Sequence, residues 1–320
     1  MREWRIGLVA LCLGSALPAA AQPAAVAPTE IAVGEALPGA FFATPEGSGP
    51  FPTIILLGGS EGGDGGARAF APRFMAQGYA VLGLPYYAPT WPGQPSAFPQ
   101  LPAAFADIPV EKAHEARRWL CARQDVECGN IGLYGVSKGA EFALLAGSLE
   151  PGFAAIAAIV PTDVVWEGWG AGTTEGQSSS FSWKGKPLPF VPYIGMNEEI
   201  AKFAIPGAKP RIRLPQDRGR HANPDRAVAA RIKVEDIGAP VLVAGGDADQ
   251  VWNSGEMAQA IAERRAAANL PTVSLIYTDA GHNLSGDGAN AGGQLGEADV
   301  AAQKEIWPAT LAFFERHLKD

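Results

Sequence analysis

A serine hydroxyl at neutral pH attacks nothing until a base takes its proton, and that base, usually histidine, has to be held by a carboxylate. Gly135-Val136-Ser137-Lys138-Gly139 sets a serine between two glycines, after an apolar run at 131–134 and before a helical stretch at 138–149. Strand, sharp turn and helix together lift a serine Oγ above a sheet, and glycines on either side spare the turn a Cβ collision. The plainer alternative is a helix N-cap serine with incidental glycines. Of the four histidines, His114 falls mid-helix, His317 in a terminal helix and His221 in a long irregular stretch. His282 instead follows the apolar run 273–277, in the loop Asp279-Ala280-Gly281-His282. Loops at the carboxyl ends of strands are where α/β sheets present functional groups. The carboxylate is expected from the preceding strand end, where 241–244 runs into Gly245-Gly246-Asp247-Ala248-Asp249. Asp249, three residues past Gly246, leaves the chain room to turn back toward His282 and is preferred to Asp247, which then serves as a turn or cap residue.

The chain order nucleophile, acid, base is that of α/β-hydrolases. The oxyanion of an acyl-transfer intermediate needs N–H donors from the residue after the nucleophile and from the loop after the first core strand. Lys138 supplies the first through its backbone, and Ser60 or Glu61, in Gly58-Gly59-Ser60-Glu61-Gly62-Gly63, supplies the second. The Glu61 side chain is open to two readings, contact with Ser137 or substrate, or an exposed salt bridge. A nucleotide cradle is disfavoured, because this glycine loop lacks the Gly-Lys-Ser/Thr ending of a P-loop.

Short Val- and Ile-rich runs at 52–57, 80–84, 131–134, 154–160, 241–244 and 273–277 alternate with helical segments. That alternation predicts an α/β fold with a mostly parallel sheet and helices on both faces. Helical faces are marked by Phe70, Phe74 and Met75, by Val110, Ala113 and Leu120, by Phe142 and Leu145, by Met257 and Ile261, and by Trp307, Leu311, Phe314 and Leu318. Pro308 is expected to start or kink the last helix. Residues 23–50, with alternation around Ile31 and Phe41, predict one or two edge strands ahead of the parallel core.

One stretch, about 161–236, breaks this rhythm and is expected to be a cap insertion. It carries Trp166, Trp169, Phe181, Trp183, Phe190 and Tyr193, then Arg211, Arg213, Arg218, Arg220, His221, Arg226 and Arg231. The aromatics either line a pocket or pack the cap onto the body, and the arginines either meet an acidic group or form a solvated face. Trp166 and Trp183, with Trp252 beyond the cap, are the candidate substrate contacts.

Among the 320 residues, 47% are hydrophobic and 18% charged, which excludes a disordered chain. A net charge of −8 disfavours nucleic acid and anionic membranes as partners and favours a small molecule. The amino terminus has Arg2 and Arg5, an apolar run at 6–17 and Ala19-Ala20-Ala21 before Gln22, the pattern of a cleaved signal peptide over 1–21. Leu11 is too bulky for a lipidation signal at Cys12. No later run is long enough for a membrane anchor, so a periplasmic or secreted protein with one domain over 22–320 is expected. The two remaining cysteines, Cys121 and Cys128, are then a candidate disulfide, the alternative being two separate buried thiols. No histidine lies near them in sequence to complete a zinc site, and no metal or organic cofactor is expected.

The strings GGSEGG, YGVSKGAEFALLAG, FSWKGKPLPFVPY, GGDADQVWNS and AGHN, running over most of residues 52–284, resemble the catalytic domain of the acyl-CoA thioesterases and bile acid-CoA:amino acid N-acyltransferases, close to the dienelactone hydrolases. The resemblance implies an α/β-hydrolase fold with Ser137 as nucleophile, Asp249 as acid and His282 as base. The N-terminal β-sandwich of those enzymes has no room ahead of Pro52, and their transferases carry cysteine at the nucleophile position. The expected activity is an exported serine hydrolase that cleaves a carboxylic ester or thioester. The alternatives are an acyltransferase on the same scaffold and a non-catalytic binding protein.

Overall fold

The computed structural model describes residues 29–90, 96–290 and 293–320. The expected signal segment over 1–21, with Cys12, lies outside them. In chain order the strands and α-helices are β1 (Thr29–Ala32), β2 (Phe41–Thr44), β3 (Phe51–Leu57), α1 (Gly65–Met75), β4 (Ala80–Gly83), β5 (Ile108–Pro109), α2 (Glu111–Cys121), β6 (Val126–Val136), α3 (Lys138–Leu149), β7 (Ala155–Ile159), β8 (Phe181–Trp183), β9 (Lys186–Pro187), α4 (Met196–Ala201), α5 (Arg213–Ala222), α6 (Pro224–Ala229), β10 (Val241–Gly246), α7 (Ser254–Ala267), β11 (Thr272–Tyr277) and α8 (Glu297–Leu318).

Eight strands form one sheet in the order β1-β2-β4-β3-β6-β7-β10-β11. β2 pairs antiparallel with β1 and β4, and every pairing from β4 to β11 is parallel. Along β3, Ile55 and Leu57 pack with the α2, α3 and α7 side while Ile54 and Leu56 pack with the α1 and α8 side. Side chains alternate across a strand, so a run that is apolar at every position can only be buried on both faces. β4, β7 and β10 are buried at every residue accordingly.

Three expectations need correction. β6 starts at Val126, so Cys128 lies within the strand and not ahead of it; the added residues 126–130 are largely polar and partly exposed, which hid them from an apolar-run criterion. Pro308 lies inside α8 and so does not start it, and Ile306, Thr310, Phe313 and Phe314 are buried on either side of it. The stretch 161–236, between β7 and β10, is also less separate than an insertion suggests. β8 pairs with β9 and, in parallel, with β5 from well before the cap, so the small three-stranded sheet stitches cap to body. Phe181 of β8 belongs to the main core beside Phe105 and Phe142.

Cys121, the last residue of α2, and Cys128 form a disulfide with their Cα atoms 4.6 Å apart.

Candidate active site

β6 delivers its chain into the elbow at Ser137, whose backbone takes φ 58° and ψ −121°. A serine at positive φ is strained, and such strain concentrates at functional turns. The flanking glycines are sterically required: a Cβ on Gly135 would lie 2.1 Å from the Gly139 carbonyl oxygen, and one on Gly139 would lie 2.3 Å from that of Leu57.

From the end of β10 the chain turns so that the Asp249 carboxylate is fully buried. Its Oδ1 accepts hydrogen bonds from the N–H groups of Val251 (2.8 Å) and Trp252 (3.2 Å). Its Oδ2 lies 2.8 Å from His282 Nδ1, and His282 Nε2 lies 3.0 Å from Ser137 Oγ. Asp247 is exposed and takes no part in this chain. The Trp252 ring meets the His282 ring edge-on with centroids 4.9 Å apart, and its indole N–H donates to the Val160 carbonyl.

Lys138 opens α3, where first-turn N–H groups have no partner within the helix. Opposite it, the loop after β3 is braced from both sides. Glu61 Oε1 accepts the Gly59 N–H at 2.9 Å, and the Tyr86 hydroxyl donates to the Gly58 carbonyl at 2.6 Å. Among the described residues Glu61 makes no salt bridge, and its carboxylate turns back onto its own loop.

The Lys138 side chain carries a feature that the sequence reading passed over. Its ammonium is buried, 2.6 Å from Glu141 Oε2 and 3.0 Å from Ser180 Oγ, with the Phe105, Trp169 and Phe181 rings about it at 5.0, 5.5 and 5.1 Å. Burial pulls the lysine below its ordinary pKa and pushes the Glu141 carboxyl above its own, each opposed by the partner's charge. The second Glu141 oxygen accepts the Trp166 N–H at 3.2 Å, so the pair ties α3 to the cap. A Lys and a Glu three apart in the otherwise apolar run Gly139–Leu145 were the available signal.

A cavity of about 230 Å³ lies over the elbow, walled by Tyr87, Trp169, Tyr193, Ile212 and Trp252, with Ser60, Lys138 and Gln216 also in its lining. A second cavity of about 300 Å³ shares Trp169, Tyr193, Met196 and Ile200 with it. Of the three tryptophans singled out, only Trp252 is here. Trp166 is fully buried and stacked on Tyr193, and Trp183 packs against His114, so both cement the cap and neither lines the cavity. Trp169 takes the role expected of them; the two were equivalent in the sequence because nothing there tells a wall aromatic from a packing one.

Three of the cap arginines meet acids, and those are this chain's own. Arg220 forks onto Asp163 at 2.6 and 2.8 Å, and Arg211 pairs with Glu199. Arg213 bonds Asp217 and reaches the carbonyl of Asp249 at 3.1 Å. Among the described residues no cluster of histidine, cysteine and carboxylate side chains has the arrangement of a metal site.

The model of the family described as BAAT / acyl-CoA thioester hydrolase C terminal matches residues 108–320. The chain is 27% identical over 292 residues to acyl-coenzyme A thioesterase 5 of Mus musculus, an alignment covering 86% of this chain and 62% of that protein. It is 26% identical over 296 residues to the mitochondrial acyl-coenzyme A thioesterase 2 of Homo sapiens, covering 88% and 55%. The chain therefore spans about three fifths of the length of the curated relatives it matches. Two solved structures share its fold. One is MGS-M1, an α/β hydrolase from a deep-sea metagenome library (TM-score 0.54, 12% identity, 92% of this chain and 98% of that). The other is the dienelactone hydrolase-like promiscuous phosphotriesterase P91 from metagenomic libraries (TM-score 0.51, 15% identity, 87% and 92%). The expected fold, an α/β hydrolase with a mostly parallel central sheet, is the fold observed.

Proposed function

Since the chain belongs to the BAAT / acyl-CoA thioester hydrolase C-terminal family, we propose that it is a serine hydrolase of carboxylic esters or thioesters, working through an acyl-enzyme on Ser137. The observation that carries this reading is the unbroken relay from Asp249 Oδ2 through both ring nitrogens of His282 to Ser137 Oγ, at 2.8 and 3.0 Å. His282 Nε2 takes the Ser137 proton as Oγ attacks the acyl carbon, and Asp249 holds the ring and stabilises the imidazolium. The tetrahedral oxyanion receives the Lys138 N–H. The second donor comes from Ser60 or Glu61, because the Gly59 N–H is already engaged by the Glu61 carboxylate. The protonated His282 returns its proton to the leaving oxygen or sulfur, then activates the water that releases the acid.

Water is proposed as the acceptor, because an oxygen ester on serine is less reactive toward amines than a thioester. The leader pattern at 1–21 supports export to the periplasm or medium, where coenzyme A is scarce and simple esters are the more accessible substrates.

Incubation with a fluorophosphonate probe and a panel of esters and acyl-CoA thioesters tests this reading. Ser137→Ala should abolish labelling and lower turnover by several orders of magnitude while leaving the circular dichroism spectrum unchanged. Near-normal turnover in that variant would overturn the assignment. A predominant N-acyl product in millimolar glycine or taurine would replace hydrolysis by transfer.

A further inference from the structure

The cavity bordered by Ser60 and Lys138 has apolar and aromatic walls, yet one of its lining residues is a buried amide. Gln216 lies on α5, a helix held firmly against the loop that carries Asp249. The Arg213 backbone N–H donates to the Gln250 carbonyl at 3.0 Å, the Arg213 guanidinium to the Asp249 carbonyl at 3.1 Å, and Gln216 Nε2 to the Val251 carbonyl at 2.7 Å. That last bond fixes which end of the amide is which, since the reversed orientation would oppose two oxygens. Gln216 is 3% exposed, and its Oε1 is buried with no hydrogen-bond partner among the described residues. Buried acceptors are nearly always paired, and one left over on a residue that lines this cavity is a group awaiting a donor.

On the reading of the site given above, we propose that Gln216 is a specificity-determining residue. The substrate moiety seated in this cavity is then a compact, ring-sized apolar group that carries a neutral hydrogen-bond donor, received by Gln216 Oε1. The size follows from the volume. A cavity of about 150 Å³ accepts benzene, so about 230 Å³ accommodates a substituted ring. The second cavity, sharing Trp169 and Tyr193, takes the rest of the molecule. An unsubstituted analogue leaves Oε1 unmet, and a single unmet buried acceptor corresponds to about 10- to 100-fold in kcat/KM.

The test uses matched ethyl 3-phenylpropanoates and phenyl acetates, plain or with a hydroxyl or amino group at the ortho, meta or para position, with product acid measured chromatographically. In the wild type at least one substituted member should exceed its parent by 10-fold or more in kcat/KM, and the set it falls in shows whether acyl or leaving group occupies the cavity. Gln216→Met, which keeps the volume and removes the acceptor, should bring that pair to parity while still hydrolysing the plain ester. Wild-type ratios within about 3-fold for every pair, or an unchanged preference in Gln216→Met, would overturn the proposal. Calorimetric binding of the same esters to Ser137→Ala reads the contact without turnover, so loss of the hydrolase reading and loss of this one are told apart.

Discussion

Replacing Lys138 by Met would remove the ammonium beneath the nucleophile elbow and leave Glu141 charged in a site with essentially no exposure to water. The carboxylate would keep only the Trp166 N–H among the contacts described above. Breaking one side of a buried ion pair costs about 3–5 kcal/mol, whereas exchanging both partners for apolar side chains of similar volume is close to neutral. Lys138→Met should therefore lower the urea midpoint by about 1–1.7 M, at a slope of about 3 kcal/mol/M. Lys138→Met combined with Glu141→Leu should return to within about 1 kcal/mol of the wild type. pH supplies a second axis. Burial holds the folded Glu141 carboxyl above its ordinary value of 4.5, and the opposing pull of Lys138 is absent in the variant. A group whose pKa is raised on folding stabilises most when protonated, and that stability is lost as pH rises through the folded pKa. The Lys138→Met deficit should thus be smaller at pH 5 than at pH 8. Equilibrium urea unfolding of the four proteins of the cycle at both pH values is the assay. A single variant within 1 kcal/mol of the wild type at pH 8, or a double variant as unstable as the single, would refute this account of the pair.

Asp249→Asn should depress kcat by about 10⁴-fold, as loss of the orienting carboxylate does in other triads, and Asp247→Asn should leave it within a few-fold; equal losses by steady-state kinetics would show that the acid was misassigned. Removing the disulfide as Cys121→Ser with Cys128→Ser should cost about 2.5 kcal/mol in urea unfolding, the loop-closure value for so short a ring, and no change would place the contribution near zero. Burial holds His114 below its ordinary value of 6.5, with Glu150 only partly opposing this, so the unfolded chain binds its proton first on acidification. Stability should fall as pH drops below about 6.5, less steeply in His114→Gln, and parallel curves for the two proteins would exclude His114 as a source.

Where a residue's role rests on its neighbours in sequence, the sequence was informative. The helix read over 138–149 has those bounds in α3, since the elbow glycines start it and its apolar content sustains it to Leu149. Preference for Asp249 over Asp247 needed only the distance past Gly246, a local count. What remained hidden was non-local. The pairing of β5 with β8 joins two very short strands from distant parts of the chain, too short for any periodicity to register. Trp166 and Trp169 share a loop and a side chain, and only the packed structure sends one into the core and the other to the cavity wall. Gln216 lies in a charged, irregular stretch where one more polar residue carries no signal until its neighbours are known.

The order of the sheet also bears on when the protein becomes chemically competent. β1, β2, β4, β3, β6 and β7, all encoded before residue 160, are contiguous in the sheet, so a growing chain can complete the Ser137 elbow and the Gly58–Gly63 loop early. Asp249 and His282 arrive only when β10 and β11 dock beside β7, about a hundred residues later. On the proposed hydrolase reading, a nascent or truncated chain holds an unactivated alcohol, and the first turnover marks the closing of the far edge of the sheet. Recovery of activity on refolding is accordingly a stricter measure of native assembly than recovery of helix content.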